Sequence, residues 1–106
     1  MCSFCRMAVS EARYAAEIVD RDENVYKFDD IGCMLQFLKK HSLPGAAMFV
    51  RDYTGTGWIR ASDAAYMRAE SIPSPMGGHT IAFKQRAAAE EQARKLQGVV
   101  LSWEKL

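Results

Sequence analysis

One order of local sequence patterns occurs twice along this chain, and it restricts the available folds more than any other feature. In each half, two segments typical of short β-strands precede a segment with helical character, and a further apolar strand follows. The first set covers about residues 13–51 and the second about residues 66–103. Two such ββαβ units sharing a core predict an α+β fold, in which two helices pack on antiparallel sheet.

The first unit has clear signals for where its helix begins and ends. Its predicted elements are strands at residues 13–20 and 25–28, a helix from residue 31, and a strand at residues 46–50. Asp29 or Asp30 can cap the helix by accepting hydrogen bonds from the backbone N–H groups of its first turn. The apolar side chains expected on the buried face are those of Ile31, Met34, Leu35 and Leu38. The helix is predicted to end at Leu-Pro-Gly, residues 43–45.

The second unit follows the same order after an irregular centre. Its predicted elements are strands at residues 66–70 and 80–83, a helix over residues 84–96, and a strand at residues 99–103. Gly98 is predicted to close the helix in a left-handed conformation. Residues 72–79 contain two prolines and two glycines, which exclude a helix or a central strand there. Phe28 and Phe83 occupy matching places, each ending a strand just before a helix.

The length of the chain indicates how many domains it forms, and the distribution of its charges indicates which kinds of partner are expected. A chain of 106 residues forms one domain, residues 1–106. Acidic and basic residues are interspersed, the formal net charge is +1, and no lysine or arginine cluster stands out, so no nucleic-acid partner is expected. No segment approaches the roughly 18–20 continuous apolar residues of a membrane span.

The first seven residues carry the strongest chemical signal. Cys2 and Cys5 are three residues apart, and Met7 follows two residues later. A set that mixes thiolate with thioether is soft and polarisable, and it favours Cu(I) over hard cations such as Mg²⁺ or Ca²⁺. Zinc would accept the thiolates but has little use for the methionine.

A second candidate group lies in the irregular segment. Met76 is flanked by Pro75 and Gly77, which places it in a loop, and His79 follows closely with an imidazole of the kind that copper accepts. Two simpler interpretations stay open, that Met76 fills a gap in the core and that His79 is a surface histidine. Cys33, in the first turn of the first helix, is expected to be an inert and partly buried thiol.

No catalytic constellation is evident, and the chain is predicted not to be an enzyme. A cysteine nucleophile would need a histidine base, yet neither His41 nor His79 has a recognisable partner. The Gly-Thr-Gly at residues 55–57 lacks the length and the lysine of a phosphate-binding loop.

Five stretches together resemble one known family, the NosL proteins, which are accessory proteins of nitrous oxide reductase maturation. These stretches are Cys-Ser-Phe-Cys-Arg-Met-Ala-Val-Ser-Glu from residue 2, Tyr-Lys-Phe-Asp-Asp-Ile-Gly-Cys-Met-Leu from residue 26, Val-Arg-Asp-Tyr from residue 50 with Trp-Ile from residue 58, Pro-Met-Gly-Gly-His-Thr-Ile-Ala-Phe from residue 75 and Gly-Val-Val-Leu-Ser-Trp from residue 98. The resemblance runs in order through residues 2–106. It implies a duplicated ββαβ fold that is also related to part of organomercurial lyase.

The resemblance implies a Cu(I)-binding metallochaperone that delivers copper for maturation of nitrous oxide reductase or a related copper enzyme. The family's Cys-x-Met pattern falls on Cys5 and Met7, and its Met-Gly loop falls on Met76, so these three are the expected Cu(I) ligands. Cys2 and His79 are expected as auxiliary ligands. The implied partner is a copper-accepting protein or an ABC-type transporter complex.

Family members are typically exported lipoproteins, but the export signal and lipid-bearing cysteine are missing from this chain. We therefore expect a truncated form of a periplasmic or cell-surface lipoprotein, with membrane association only through the absent lipid anchor. Two other functions stay open. One is a structural or sensory zinc site that uses Cys2 and Cys5 with Cys33 or His79, and the other is a thiol-based protein like organomercurial lyase.

Overall fold

The computed structural model describes residues 12–54, 57–72 and 79–106, which contain seven strands and two α-helices. In chain order they are β1 (Ala16–Val19), β2 (Val25–Phe28), α1 (Ile31–Lys40), β3 (Ala47–Arg51), β4 (Trp58–Arg60), β5 (Ala65–Arg68), β6 (Thr80–Phe83), α2 (Arg86–Leu96) and β7 (Val99–Leu101). Short 3-10 turns lie at Ala12–Tyr14, Ala61–Asp63 and Trp103–Lys105. The predicted strands at residues 13–20 and 99–103 are therefore shorter than expected, because a 3-10 turn occupies one end of each predicted segment.

The strands form two antiparallel sheets that repeat one topology. The first sheet has the order β2-β1-β3-β4 and the second the order β6-β5-β7. In each, the first strand is central, with its hairpin partner on one side and the strand that follows the helix on the other. The predicted α+β fold with duplicated ββαβ units is confirmed, and β4 extends the first sheet at the edge of β3.

The register confirms the predicted equivalence of Phe28 and Phe83. Phe28 pairs with Ala16, the first residue of β1, and Phe83 pairs with Ala65, the first residue of β5. Both phenylalanine side chains are fully buried, and a helix begins three residues after each of them. Each therefore anchors the point at which its hairpin passes into its helix.

The first helix is capped as expected but presents a partly different face. The carboxylate of Asp30 accepts a hydrogen bond from the backbone N–H of Gly32 at 2.6 Å. The buried side chains of α1 are Ile31, Cys33, Met34 and Phe37. Leu35 and Leu38, expected on that face, are only half-buried, because the helix turns Ile31, Met34 and Phe37 toward the core and leaves these two leucines at the edge of that face.

The end of the second helix differs from the prediction that Gly98 adopts the left-handed conformation. Gln97 adopts it instead, with φ 54° and ψ 43°. Gly98 serves another purpose, since a Cβ atom there would lie 2.8 Å from the carbonyl oxygen of Arg68 and would collide with the sulfur of Met67. The glycine is required for close packing against β5.

The two units share a core because the second sheet is covered on both faces. Successive residues of β5 point to opposite sides of the sheet. Tyr66 joins Ala82 in a cluster with α1 and the inner face of the first sheet, whereas Met67 joins Phe83 in a second cluster beneath α2. The backbone also links the sheets, since the N–H of Tyr53 donates to the carbonyl of Ala82 at 2.8 Å. Among the described residues, no helix is long and apolar enough to span a membrane.

Candidate metal centre

Of the five predicted metal ligands, the structure places one. Cys2, Cys5, Met7 and Met76 lie outside the described residues, and His79 lies within them. The geometry of the candidate site is therefore defined by the residues that flank the two ligand-bearing segments, residues 1–11 and residues 73–78.

The segment that contains Met76 connects β5 to β6, and hydrogen bonds hold the described residues on either side of it. The N–H of Ala69 donates to the carbonyl of His79 at 3.1 Å, which extends the ladder one pair beyond Arg68 and Thr80. The N–H of Ile72 donates to the carbonyl of Ala69, also at 3.1 Å. Because the Ile72 side chain is buried, both ends of residues 73–78 are attached to the core.

His79 is the best-defined member of the candidate site. Its backbone is in the left-handed region at φ 54°, which is uncommon for a residue other than glycine. Its ring Nδ1 lies 2.9 Å from the carbonyl oxygen of Ile72. A carbonyl oxygen only accepts hydrogen bonds, so we assign the proton of the neutral ring to Nδ1. The lone pair is then on Nε2, in the arrangement that orients metal-binding histidines in other proteins.

The other ligand-bearing segment joins the described chain at a hydrophobic cluster that also contains Ile72. The turn Ala12–Tyr14 contacts β6, and the buried side chain of Tyr14 belongs to the same hydrophobic cluster as Ile72 and Ile81. The guanidinium of Arg13 lies over the ring of Tyr14, 5.4 Å from its centroid. Residues 1–11 therefore join the fold at the cluster that also anchors the hairpin loop.

Chain length limits where two of the predicted ligands can lie. Met7 precedes Tyr14 by seven residues, a stretch that can span at most about 23–25 Å. Met76 precedes His79 by three residues, which can span at most about 11 Å. These values are the upper limits on how far each sulfur-bearing residue can lie from the described residue that follows it.

The other chemically notable side chains are parts of the core or of helix ends. Cys33 is a buried residue on the core-facing side of α1, whereas the sequence predicted a partly buried thiol. His41 stacks on Phe37 at the end of α1, with ring centroids 4.3 Å apart. Among residues 12–54, 57–72 and 79–106, no group of three or more histidine, cysteine or acidic side chains is arranged to hold a metal ion.

Sequence reasoning missed the residues that position the candidate ligands. The carbonyl of Ile72 selects the histidine nitrogen, and Tyr14 anchors the N-terminal segment, yet neither residue belongs to a recognisable motif. The sequence feature that could have identified Ile72 and Tyr14 is that each is an apolar or aromatic residue close to a segment with predicted sulfur ligands.

Comparisons with known proteins agree with this fold. The model of the NosL family matches residues 1–106. Among solved structures, the chain is similar to the copper chaperone NosL from Shewanella denitrificans, with a TM-score of 0.80 and 18% sequence identity. The similarity covers 99% of this chain and 87% of that one. No curated protein matches the sequence.

Proposed function

The chain belongs to the NosL family, and we propose from this premise that it is a Cu(I) metallochaperone. Its cargo would be delivered for maturation of nitrous oxide reductase or a related copper enzyme. The proposal is supported by family membership and by similarity to a solved structure that is itself a copper chaperone. The soft donors of the sequence agree with it, because thiolate and thioether ligands select Cu(I).

The observation that carries the proposal is the convergence of the two ligand-bearing segments on one cluster. Tyr14, which follows the Cys5–Met7 segment, packs in the same cluster as Ile72, which precedes the Met76 loop. Two sulfur-bearing segments far apart in sequence are thus attached to one side of the core. This arrangement supports a single copper site that is assembled from both.

In the proposed site the Cys5 thiolate supplies the negative charge, and the thioethers of Met7 and Met76 are neutral ligands. Few ligands surround the ion, which leaves room for an acceptor protein to attack with a ligand of its own. Nε2 of His79 and the thiol of Cys2 are proposed as auxiliary ligands. Their use during copper transfer would keep the ion coordinated while one sulfur ligand leaves.

Partners and location follow from the same proposal. A carrier of this kind needs an acceptor, and we propose a copper-accepting protein or an ABC-type transporter complex. We further propose that the full-length protein is a periplasmic or cell-surface lipoprotein, and that copper transfer rather than catalysis is its activity.

Titration of the reduced protein with Cu(I) against a competing chelator tests this proposal. We expect one tightly held Cu(I) per chain, and a loss of affinity of about tenfold or more in Cys5→Ser and in Met76→Leu, because each removes a ligand. His79→Asn should weaken binding as well, since asparagine tolerates the left-handed backbone.

Two matched variants control for nonspecific effects. Met48→Leu changes a half-buried methionine of β3, and His41→Asn changes the other histidine of the chain, so neither should alter the Cu(I) affinity. Unchanged affinity in both Cys5→Ser and Met76→Leu would contradict the site. The zinc alternative would be favoured if Zn²⁺ but not Cu(I) raised the melting temperature of the protein, and if metal binding did not need Met7.

A further inference from the structure

A groove runs along the side of α1 that faces away from the main core contacts. Gly32, Leu35 and Lys39 lie along one wall, at helical spacing over about 10 Å. Arg68 of β5 and Leu106 also line the groove, which has a volume of about 500 Å³.

The lining combines apolar surface with positive charge. Leu35, Leu38 and Leu106 are half-buried and leave part of their surface in the groove, while Lys39 and Arg68 are exposed. The charged side chains among the described lining residues are those of Lys39 and Arg68, and the anion in that set is the main-chain carboxylate of Leu106. The groove is therefore complementary to a chain segment that carries a carboxylate among apolar side chains.

Arg68 is held in position by a buried residue. Its Nε donates a hydrogen bond to Oγ1 of Thr80 at 3.1 Å, and Thr80 is 1% exposed. The planar guanidinium is thus attached to β6 through one nitrogen and presents its two terminal nitrogens. A guanidinium in this position can bind a carboxylate with two parallel hydrogen bonds.

The groove ends at Arg68, near the base of the hairpin whose connecting segment carries Met76. Arg68 pairs with Thr80 in the last pair of the β5–β6 ladder, and the next pair along is Ala69 with His79. Neighbouring residues in a strand are about 3.4 Å apart, so Arg68 lies within a few ångströms of the base of the Met76 loop. A protein segment bound in the groove would lie next to the base of this hairpin.

We propose that this groove docks an acidic, leucine-rich segment of the protein that accepts the copper. The segment's carboxylate pairs with Arg68, with Lys39 as a second cation, and its apolar side chains cover Leu35, Leu38 and Leu106. The docking role rests on the proposed copper-transfer function. It adds to that function a means of bringing the acceptor's ligands to the copper.

The test uses isotope-labelled, metal-free protein and the hexapeptide Ac-Leu-Asp-Leu-Glu-Leu-Leu-NH₂ as the probe. We expect saturable amide chemical-shift changes concentrated at Gly32, Leu35, Lys39 and Arg68. Arg68→Gln should raise the dissociation constant about tenfold, the effect of losing one charge-assisted pair. Lys39→Gln should weaken binding in the same direction, which provides a second variant if Arg68→Gln is unstable.

Arg94→Gln is the matched control, because Arg94 is an exposed arginine of α2 outside the groove, and it should leave peptide binding unchanged. The proposal would be overturned if a peptide with Asn and Gln in place of Asp and Glu bound as tightly as the acidic peptide. Amide chemical-shift changes confined to another surface would overturn it as well. Two further results would assign the groove to a different occupant and also overturn the proposal. One is that the protein self-associates and Arg68→Gln abolishes the self-association. The other is that the protein binds phosphatidylglycerol vesicles and Arg68→Gln abolishes that binding.

The copper proposal is tested separately by the Cu(I) affinity of the same variants. Arg68→Gln should bind Cu(I) as the parent chain does, because Arg68 is not among the proposed ligands. Peptide binding that depends on Arg68 in a chain without Cu(I) affinity would remove the copper function and leave the groove as a docking site. Normal Cu(I) affinity without peptide binding would remove only the docking proposal.

Discussion

The side chain of Tyr66 lies in the core shared by both units. Its hydroxyl donates a hydrogen bond to the carbonyl oxygen of Ala61 at 2.5 Å, and its ring centroid lies 6.0 Å from that of Trp103. Burial raises the pKa of Tyr66 above its ordinary value of 10.0. The folded protein therefore keeps the phenolic proton at pH values where the unfolded chain has lost it.

This difference predicts how stability depends on pH. Tyr66→Phe should lower the free energy of unfolding by about 1–2 kcal/mol near neutral pH, because the Ala61 carbonyl loses its donor. The contribution of Tyr66 is complete below about pH 10 and falls above it by up to about 1.4 kcal/mol per pH unit, since the unfolded phenol ionises first. Urea unfolding of both proteins at about pH 8 and pH 11 should show the difference shrinking. A constant difference would contradict the assignment.

Gly98 is needed for close packing, and this leads to a second prediction. Gly98→Ala should lower the free energy of unfolding by about 1–3 kcal/mol, because the new methyl group meets the backbone carbonyl of Arg68, which cannot move aside as a flexible side chain would. Gly57→Ala is the control, since nothing lies within 4 Å of a Cβ at that position. Thermal or urea unfolding of the two variants measures the contrast. Equal effects at both positions would show that the packing argument is wrong.

The two helices occupy equivalent places but begin differently. Asp30 caps α1 through its carboxylate, whereas Gln85, at the start of α2, makes no side-chain cap hydrogen bond. Backbone N–H groups in the first turn of α2 therefore lack the side-chain acceptor that α1 has. Two helices in equivalent places of the duplicated fold therefore differ in whether a side chain caps them.

Gln85→Asp should stabilise the protein by about 0.5–1 kcal/mol, because aspartate accepts these hydrogen bonds and its charge is favourable at a helix N-terminus. Gln85→Ala, which has no acceptor, should change the free energy of unfolding little. The gain should disappear at a pH low enough to protonate the carboxylate. Urea unfolding at two pH values measures it, and a stabilisation no greater than that of Gln85→Ala would contradict the prediction.

At the level of helices and strands, patterns within a few residues predicted the fold well. The order of strands and helices, the capping aspartate and the matching places of Phe28 and Phe83 all depend on local sequence. The predictions were wrong where contacts between residues far apart in sequence determine the local structure. Gly98 is a packing glycine because Met67 and Arg68 lie against it, and no local pattern in the sequence reveals that contact.

The two units behave as one structure because the second sheet contributes to two cores. Tyr66 and Ala82 pack with α1, while Met67 and Phe83 pack beneath α2. Neither unit alone would bury all of its apolar surface. If the units were separated, the first would lack the side chain of Tyr66 in its core, and the second would expose that side chain to solvent. Sequence periodicity predicted both units but not which face of each sheet meets the other.

The candidate site could be predicted in part. Soft-donor chemistry and the family resemblance predict Cys5, Met7 and Met76 as ligands, and this stays a prediction because all three lie outside the described residues. The relation between the segments could not be predicted, because it depends on Tyr14 and Ile72 packing in one cluster. The nitrogen that His79 offers could not be predicted either, since a backbone carbonyl selects it.

The central claim is that one Cu(I) ion joins the N-terminal segment to the hairpin loop. The most direct measurement is X-ray absorption at the copper edge of Cu(I)-loaded protein in which all six methionines are selenomethionine. Selenium is distinguishable from sulfur as a neighbour of copper, so each methionine ligand is detected directly. We expect two selenium neighbours in the parent chain, one in Met7→Leu or Met76→Leu, and none in the double variant. A copper spectrum without selenium neighbours, or one unchanged by Met76→Leu, would contradict the claim.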